Sequence, residues 1–364
     1  MNSQEKIKFI LFAIYSIFVL LLTTNYLTLN SLIYDANQTD IISYTTIANA
    51  APSLLKDSDI VIQHVAQRFL IPFIVGVSAK FFNIELFLTY KIYTFFLIIF
   101  LVIFIYYIIN KLNLNFNEAI LFYSLFVFNP YTIRYHLFNP VQAHDLIFFL
   151  AGFCFSYGII KEKKKFTYYS SLSSILLRQT GIAMAVGTLI DFYQSKNSKY
   201  KNIFLYLLVF SILLIIISKV GHYISVHKFH FLYSYGIIYY DFMQIERLIK
   251  FLLLPMVSFF PIIFIFFIGE RKNNINKMTL LILLFVCLLM IGQPIAAGPD
   301  GSSRNIVRIT TLCYPILLCL VFYLYKLEKF FQKKVIFYLF IIFLQIWSLH
   351  PTFSIIKLFS ILRF

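Results

Sequence analysis

A few short stretches of this chain combine acids, bases and hydroxyls at spacings that could do chemistry. In Asp40-Ile-Ile-Ser-Tyr44 the carboxylate and the phenol stand four residues apart, which puts both on one face of a helix. A partly desolvated carboxylate can take a proton from a hydroxyl, so Asp40 is a candidate general base; otherwise it caps or solvates its helix. His64-Val-Ala-Gln67-Arg68 sets a polar face ahead of Pro72, and the Arg68 guanidinium either forks two donors to a phosphate or reaches out to an interface. His144 and Asp145 close the stretch from Asn139, and Asp145 reads both as a helix-start residue and as a site carboxylate. Arg304 and Arg308, four apart behind Gly298-Pro-Asp300-Gly, would sit on the first turns of a helix, where backbone donors already favour an anion. They could equally be interfacial anchors. Arg178 stands in mid-apolar sequence, a position costing about 2.5–3.5 kcal/mol on insertion scales, so it needs a partner or a water-lined cavity unless its segment is shallow.

The elements that must position these residues are apolar. The chain is 60% hydrophobic and 13% charged, which excludes a water-soluble fold. Long apolar runs occupy about 8–29, 68–84, 87–110, 117–132, 141–160, 166–193, 202–224, 248–269, 278–297, 306–325 and 335–350. They are continuous rather than alternating, which predicts helices and not barrel strands. The expected fold is therefore all-α, a polytopic transmembrane bundle of about 9 to 11 membrane segments forming one integral membrane domain over 1–364.

Charge orients it. The net charge of +16 lies mostly in short clusters, among them Lys161 to Lys165, Lys196 to Lys201, Arg271 to Lys277 and Lys326 to Lys334. The positive-inside rule makes these loops and the N-terminus cytoplasmic, and no basic segment is long enough to serve as a nucleic-acid-binding module. The first run reads as a retained signal anchor. The long polar stretch, 30–67, then becomes a helical first external loop. Basic clusters flank 166–193 on both sides, so that run must enter and leave on one side. Arg178 and Gly181 mark the expected break of a re-entrant or broken hairpin. The run 68–84, with Pro72 and Gly76, is expected to dip into the bilayer or join its neighbour. Cys154, Cys287, Cys313 and Cys319 lack paired metal-ligand spacing and read as small buried hydrophobes.

The order of these features resembles the GT-C glycosyltransferases, polytopic enzymes that use a lipid-linked sugar and carry an acidic residue in the first large external loop. The likeness rests on Asp40 and Tyr44 after the first helix, on His64 to Pro72, on Asp145, on the break at Arg178-Gln179-Thr180-Gly181, and on Arg304 to Pro315. Residues 1–200 would form the GT-C-like module and 201–364 additional transmembrane helices. The resemblance implies Asp40 as catalytic base, with Asp35 as its substitute. Tyr44, His64, Arg68, His144, Asp145, Arg178, Arg304 and Arg308 would then bind substrate, with Arg68, Arg304 and Arg308 on the polyprenyl phosphate. The expected reaction moves the sugar, with inversion, to a glycan, lipid or protein acceptor at the outer face of a bacterial cytoplasmic membrane. No metal site is predicted. The adjacent acidic pair of some subfamilies is missing, which leaves a requirement for a divalent cation, Mg²⁺ or Mn²⁺, open. Two other readings remain: a transporter or flippase of a lipid-linked or anionic solute, which should have pseudo-symmetric halves, and a polysaccharide polymerase, which should carry its large loop late.

Overall fold

A computed structural model of the chain describes residues 1–24, 26, 39–194, 200–226, 245–273, 275–296 and 303–349. Asp35 lies outside the described residues. The protein is mostly helical. In chain order the first helices are α1 (Ser3–Thr23), α2 (Thr39–Ala50), α3 (Gln63–Ala66), α4 (Leu70–Phe82), α5 (Leu86–Lys111), α6 (Phe116–Val127), α7 (Tyr135–Phe138), α8 (His144–Ile160), α9 (Lys164–Leu177), α10 (Gly181–Gln194) and α11 (Tyr200–Ile224). Four stretches, Ser3–Thr23, Leu86–Lys111, Pro140–Ile160 and Lys201–Ile224, are long and apolar enough to cross a membrane. Leu70–Phe82, Ser258–Ile268, Lys277–Gly292, Tyr314–Leu324 and Lys334–Ser348 are shorter apolar helices. On α1 the residues Ile7, Leu11, Ile14 and Phe18 point outward, and on α11 so do Phe204, Leu208, Ile212 and Ile215. Helices with such outer faces suit hydrocarbon, where their backbone groups are already paired within the helix.

Local sequence explains where these helices begin and end. Asn2 and Asn115 each accept from the backbone N–H three residues on, and Glu5 and Glu118 bond back to them, so two otherwise orphaned donors are satisfied at each start. α4 does not merge with α5. Asn83, left-handed at φ 52°, ends it, and Ile84 N–H returns to the Ala79 carbonyl. At 13 residues α4 is about 20 Å long, short of the hydrocarbon thickness.

The chain groups into two compact units: Met1–Ser31 with Val102–Phe138 and Ser234–Phe364, and Leu32–Leu101 with Asn139–Tyr233. In the first, the Tyr123 hydroxyl donates to the Ala13 carbonyl at 3.2 Å, joining α6 to α1. The Asn129 amide and the Tyr314 hydroxyl bond the Ser258 and Leu125 carbonyls. A two-residue antiparallel pairing sets Glu270 against Lys326, and Lys329 adds an ion pair to Glu270.

The second unit is built on a helical hairpin. α9 and α10 are separated by Arg178, Gln179 and Thr180, and Lys164 at the start of α9 meets Asp191 near the end of α10 at 2.6 Å. The two arms therefore run antiparallel, and the break falls where the sequence places Arg178 and Gly181. Leu172, Ile175, Ala185 and Phe192 from the arms share a buried cluster with Tyr206 and Ile217 of α11. α8 packs along α9, and a Cβ on Gly158 would come within 2.4 Å of the Thr167 hydroxyl.

α2 lies against α4, α3 and the 3-10 turn Pro140–Gln142 that leads into α8. Ile47 of α2 is buried with Val61, Ala66 and Ile224. The intervening loop is tied to the end of α11, since Ser58 N–H bonds the Ile224 carbonyl at 2.8 Å and Val226 N–H bonds the Ser58 carbonyl at 3.1 Å. The α2–α4 crossing depends on Gly76, where a Cβ would lie 2.0 Å from the Ala48 carbonyl oxygen. Gly76→Ala must push α2 away and lower the melting midpoint in detergent. Gly292→Ala, where a Cβ meets nothing within 4 Å, should leave the midpoint near the parent value and serves as the control.

Candidate functional site

Seven of the residues singled out from the sequence fall in the unit built on the hairpin. α2 presents Asp40 and Tyr44 one turn apart. Asp40 keeps 18% of its side chain exposed and stands 3.6 Å from Nε2 of His64 on α3. Tyr44 points inward and is buried. Its hydroxyl lies 3.2 Å from Nη1 of Arg68 and 3.2 Å from Nε2 of His144. His144 Nε2 is also 3.2 Å from Oδ1 of Asp145. An ionised carboxylate only accepts, so the Nε2 proton serves Asp145, and the phenol oxygen accepts from the Arg68 guanidinium. Burial raises the Tyr44 pKa above the ordinary phenol value, with the positive charge of Arg68 opposing.

Asp145 and Arg178 form the deepest part of this group, both almost fully buried. Nε of Arg178 is paired with Oδ1 of Asp145, and Nη2 donates to Oδ2 at 3.0 Å, a bidentate fork. This is the partner that Arg178 needed. The pair spans the start of α8 and the hairpin break, so two elements far apart in sequence are joined by charge.

Arg68 differs. It is 8% exposed, donates through Nε to Oε1 of Gln179 at 3.0 Å and through Nη1 to Tyr44, and has no carboxylate in ion-pair contact among the described residues. A buried guanidinium whose partners are neutral keeps an uncompensated charge, and Nη2 has donors to spare. That combination suits an anion.

Gln67 and Gln179 complete the group and were not among the residues predicted to bind substrate. The Gln179 amide nitrogen donates to Oε1 of Gln67 at 2.7 Å and to the His64 carbonyl at 2.9 Å. The available signal was position alone, Gln67 before Arg68 and Gln179 after Arg178. Gly181 lets the second arm start close to the first, since a Cβ there would meet the Ser174 carbonyl carbon at 2.5 Å.

Arg304 and Arg308 belong to the other unit, on the helix Ser303–Thr311. Arg308 is buried there and donates to the Tyr135 hydroxyl at 3.3 Å. Arg134, which drew no attention in the sequence, is also buried in that unit and gives Nη1 and Nη2 to the Thr23 hydroxyl and carbonyl. Among the described residues no group of three or more His, Cys, Asp or Glu side chains could hold a metal ion. Asp145 has both oxygens on Arg178. Cys287, Cys313 and Cys319 are buried and Cys154 partly buried, as the sequence reading expects of small apolar residues.

Compared with protein-family models, curated proteins and solved structures, the chain matches none.

A buried pair that loses one member leaves the other charge uncompensated, at a cost of about 3–5 kcal/mol. Asp145→Asn and Arg178→Met should therefore each lower the melting midpoint strongly. The combination Asp145→Leu with Arg178→Met, which removes both charges, should recover much of the loss in the same melting experiment.

Proposed function

We propose that this protein is a polytopic membrane glycosyltransferase of the GT-C type, which transfers a sugar from a polyprenyl-phosphate donor to an acceptor hydroxyl. The observation that carries the reading is the pairing of opposite chemistries on neighbouring elements: a buried guanidinium with spare donors, Arg68, and a partly exposed carboxylate, Asp40, one helical turn from the tyrosine that Arg68 contacts. The first suits the phosphate of a departing lipid carrier and the second suits removal of a hydroxyl proton.

In this reaction an Asp40 carboxylate oxygen takes the proton of the acceptor hydroxyl as the acceptor oxygen bonds to the anomeric carbon. The bond from that carbon to the phosphate oxygen breaks from the opposite face, its electron pair stays on the phosphate, and configuration inverts. Charge grows on the phosphate as the bond lengthens, so donors already aimed at it stabilise the transition state more than the ground state. Arg68 is the group that would do so. His64, beside Asp40, would hold the carboxylate in place, and Tyr44 would hold Arg68.

A lipid-linked donor matches an apolar helical protein with its polar residues grouped around α2 and α3, because the carrier chain can stay in hydrocarbon while the sugar meets water. With the basic loops and the N-terminus cytoplasmic, the site would face the outer side of a bacterial cytoplasmic membrane, within a bundle of 9 to 11 membrane segments whose hairpin at 166–193 enters and leaves on one side. The acceptor would be a glycan, a lipid or a protein.

The test is sugar transfer by the purified protein in lipid, supplied with polyprenyl-phosphate sugars, beside Asp40→Asn. The parent should turn over, and Asp40→Asn should lose at least about a hundredfold in kcat, the scale of a general base, with expression and donor binding retained. Full activity in Asp40→Asn would remove Asp40 from the mechanism. Donor movement across proteoliposomes without any transfer would make the protein a flippase.

A further inference from the structure

Gln179 holds Arg68 in a way that a residue of the hairpin break need not. Its amide oxygen accepts from Arg68 Nε at 3.0 Å, while its amide nitrogen donates to Gln67 Oε1 at 2.7 Å and to the His64 carbonyl at 2.9 Å. The orientation has one solution. Turned over, the amide would face the guanidinium donor with its own N–H groups and face two acceptors with its oxygen, so three hydrogen bonds would be lost together. Neither end is free to move: Gln67 and His64 sit on or beside α3, and Gln179 follows Arg178, which Asp145 anchors by a buried bidentate pair.

Arg68 is thus held on two sides. Gln179 occupies Nε, Tyr44 occupies Nη1, and among the described residues Nη2 keeps its donors for a ligand. A guanidinium on a long side chain loses rotamer entropy when it binds, and one already fixed by neutral acceptors has lost it beforehand without losing its charge. An acid in place of Gln179 would fix the group equally well and cancel the charge. A neutral acceptor is the choice that keeps the site cationic.

We infer that Gln179 is a positioning residue, which sets the Arg68 guanidinium for the phosphate of the donor. The inference rests on the glycosyltransferase reading for the identity of the ligand and goes beyond it in making the hairpin break part of the phosphate site. Gln179 touches no reacting atom and acts only through Arg68.

The experiment is a titration of the full-length protein, in phosphatidylcholine nanodiscs, with polyprenyl monophosphate. Gln179→Met, of matching length, should weaken binding about tenfold, the effect of losing a hydrogen bond to a charged group, and Gln179→Glu at least as much because it neutralises the guanidinium. In an Arg68→Lys background, which keeps the charge but lacks the planar fork, Gln179→Met should change binding little. No loss in either Gln179 variant, or an equal loss from Gln179→Met in both backgrounds, overturns the inference and leaves the function to the transfer assay. A parent that binds the probe with the expected pattern but transfers no sugar keeps the role of Gln179 and removes the glycosyltransferase reading. A parent that does not bind the probe overturns both.

Discussion

A guanidinium placed in apolar sequence has to be answered, and the way Arg178 is answered sets the geometry around it. Taking two charges out of water costs several kcal/mol per ion, and only close, bidentate geometry with Asp145 offsets that cost. The pair therefore constrains more than itself. It requires the break between α9 and α10 to lie against the start of α8, and it carries Gln179 and Thr180 to fixed places. Gln179 then reaches Gln67, His64 and Arg68, which belong to the segment around α3. A charge paired in one element thus decides the position of a hydrogen-bonding group for another.

The surrounding packing is adjusted to the same end. α2 can bring Tyr44 to Arg68 and His144 because Gly76 lets the backbone of α4 approach the Ala48 carbonyl with no intervening side chain. Gly181 does the same for the second arm of the hairpin, next to Ser174. Small residues at helix crossings suit a protein with apolar outer faces, since contact between helices in hydrocarbon is won by close packing and hydrogen bonds rather than by exclusion of water. Hydrogen bonds run from Gln67 through Gln179 and Arg68 to Tyr44, and His144, beside Tyr44, contacts the Asp145 that pairs with Arg178.

Three of the four buried arginines among the described residues show a contrast that is informative. Arg178 has a carboxylate. Arg134 has the hydroxyl and carbonyl of Thr23, and its side chain also lies over the Phe138 ring at 5.5 Å. Arg68 has an amide oxygen and a phenol. Neutral acceptors satisfy geometry without cancelling charge, so they keep a cation in reserve at an energetic cost that a bound anion would repay. That supports Arg68, which the sequence reading already set on the phosphate, over Arg178 as the reading's phosphate ligand.

Composition and pattern by themselves determined the helical, apolar character of the chain, the break at Arg178 and Gly181, the shared helix face of Asp40 and Tyr44, and the demand that Arg178 find a partner. These are local properties, written in hydropathy, in the 3.6-residue period and in the cost of an unpaired charge. The tertiary structure alone decided which acid answered Arg178, since nothing in a separation of 33 residues distinguishes Asp145 from other carboxylates. It also decided that Gln179 would meet Arg68 across 111 positions and that Arg308 would bond Tyr135 in the other unit. Such pairings depend on which helices cross and at what distance. That is set by the sum of many packing contacts, to which any single residue type contributes too little to be read along the chain.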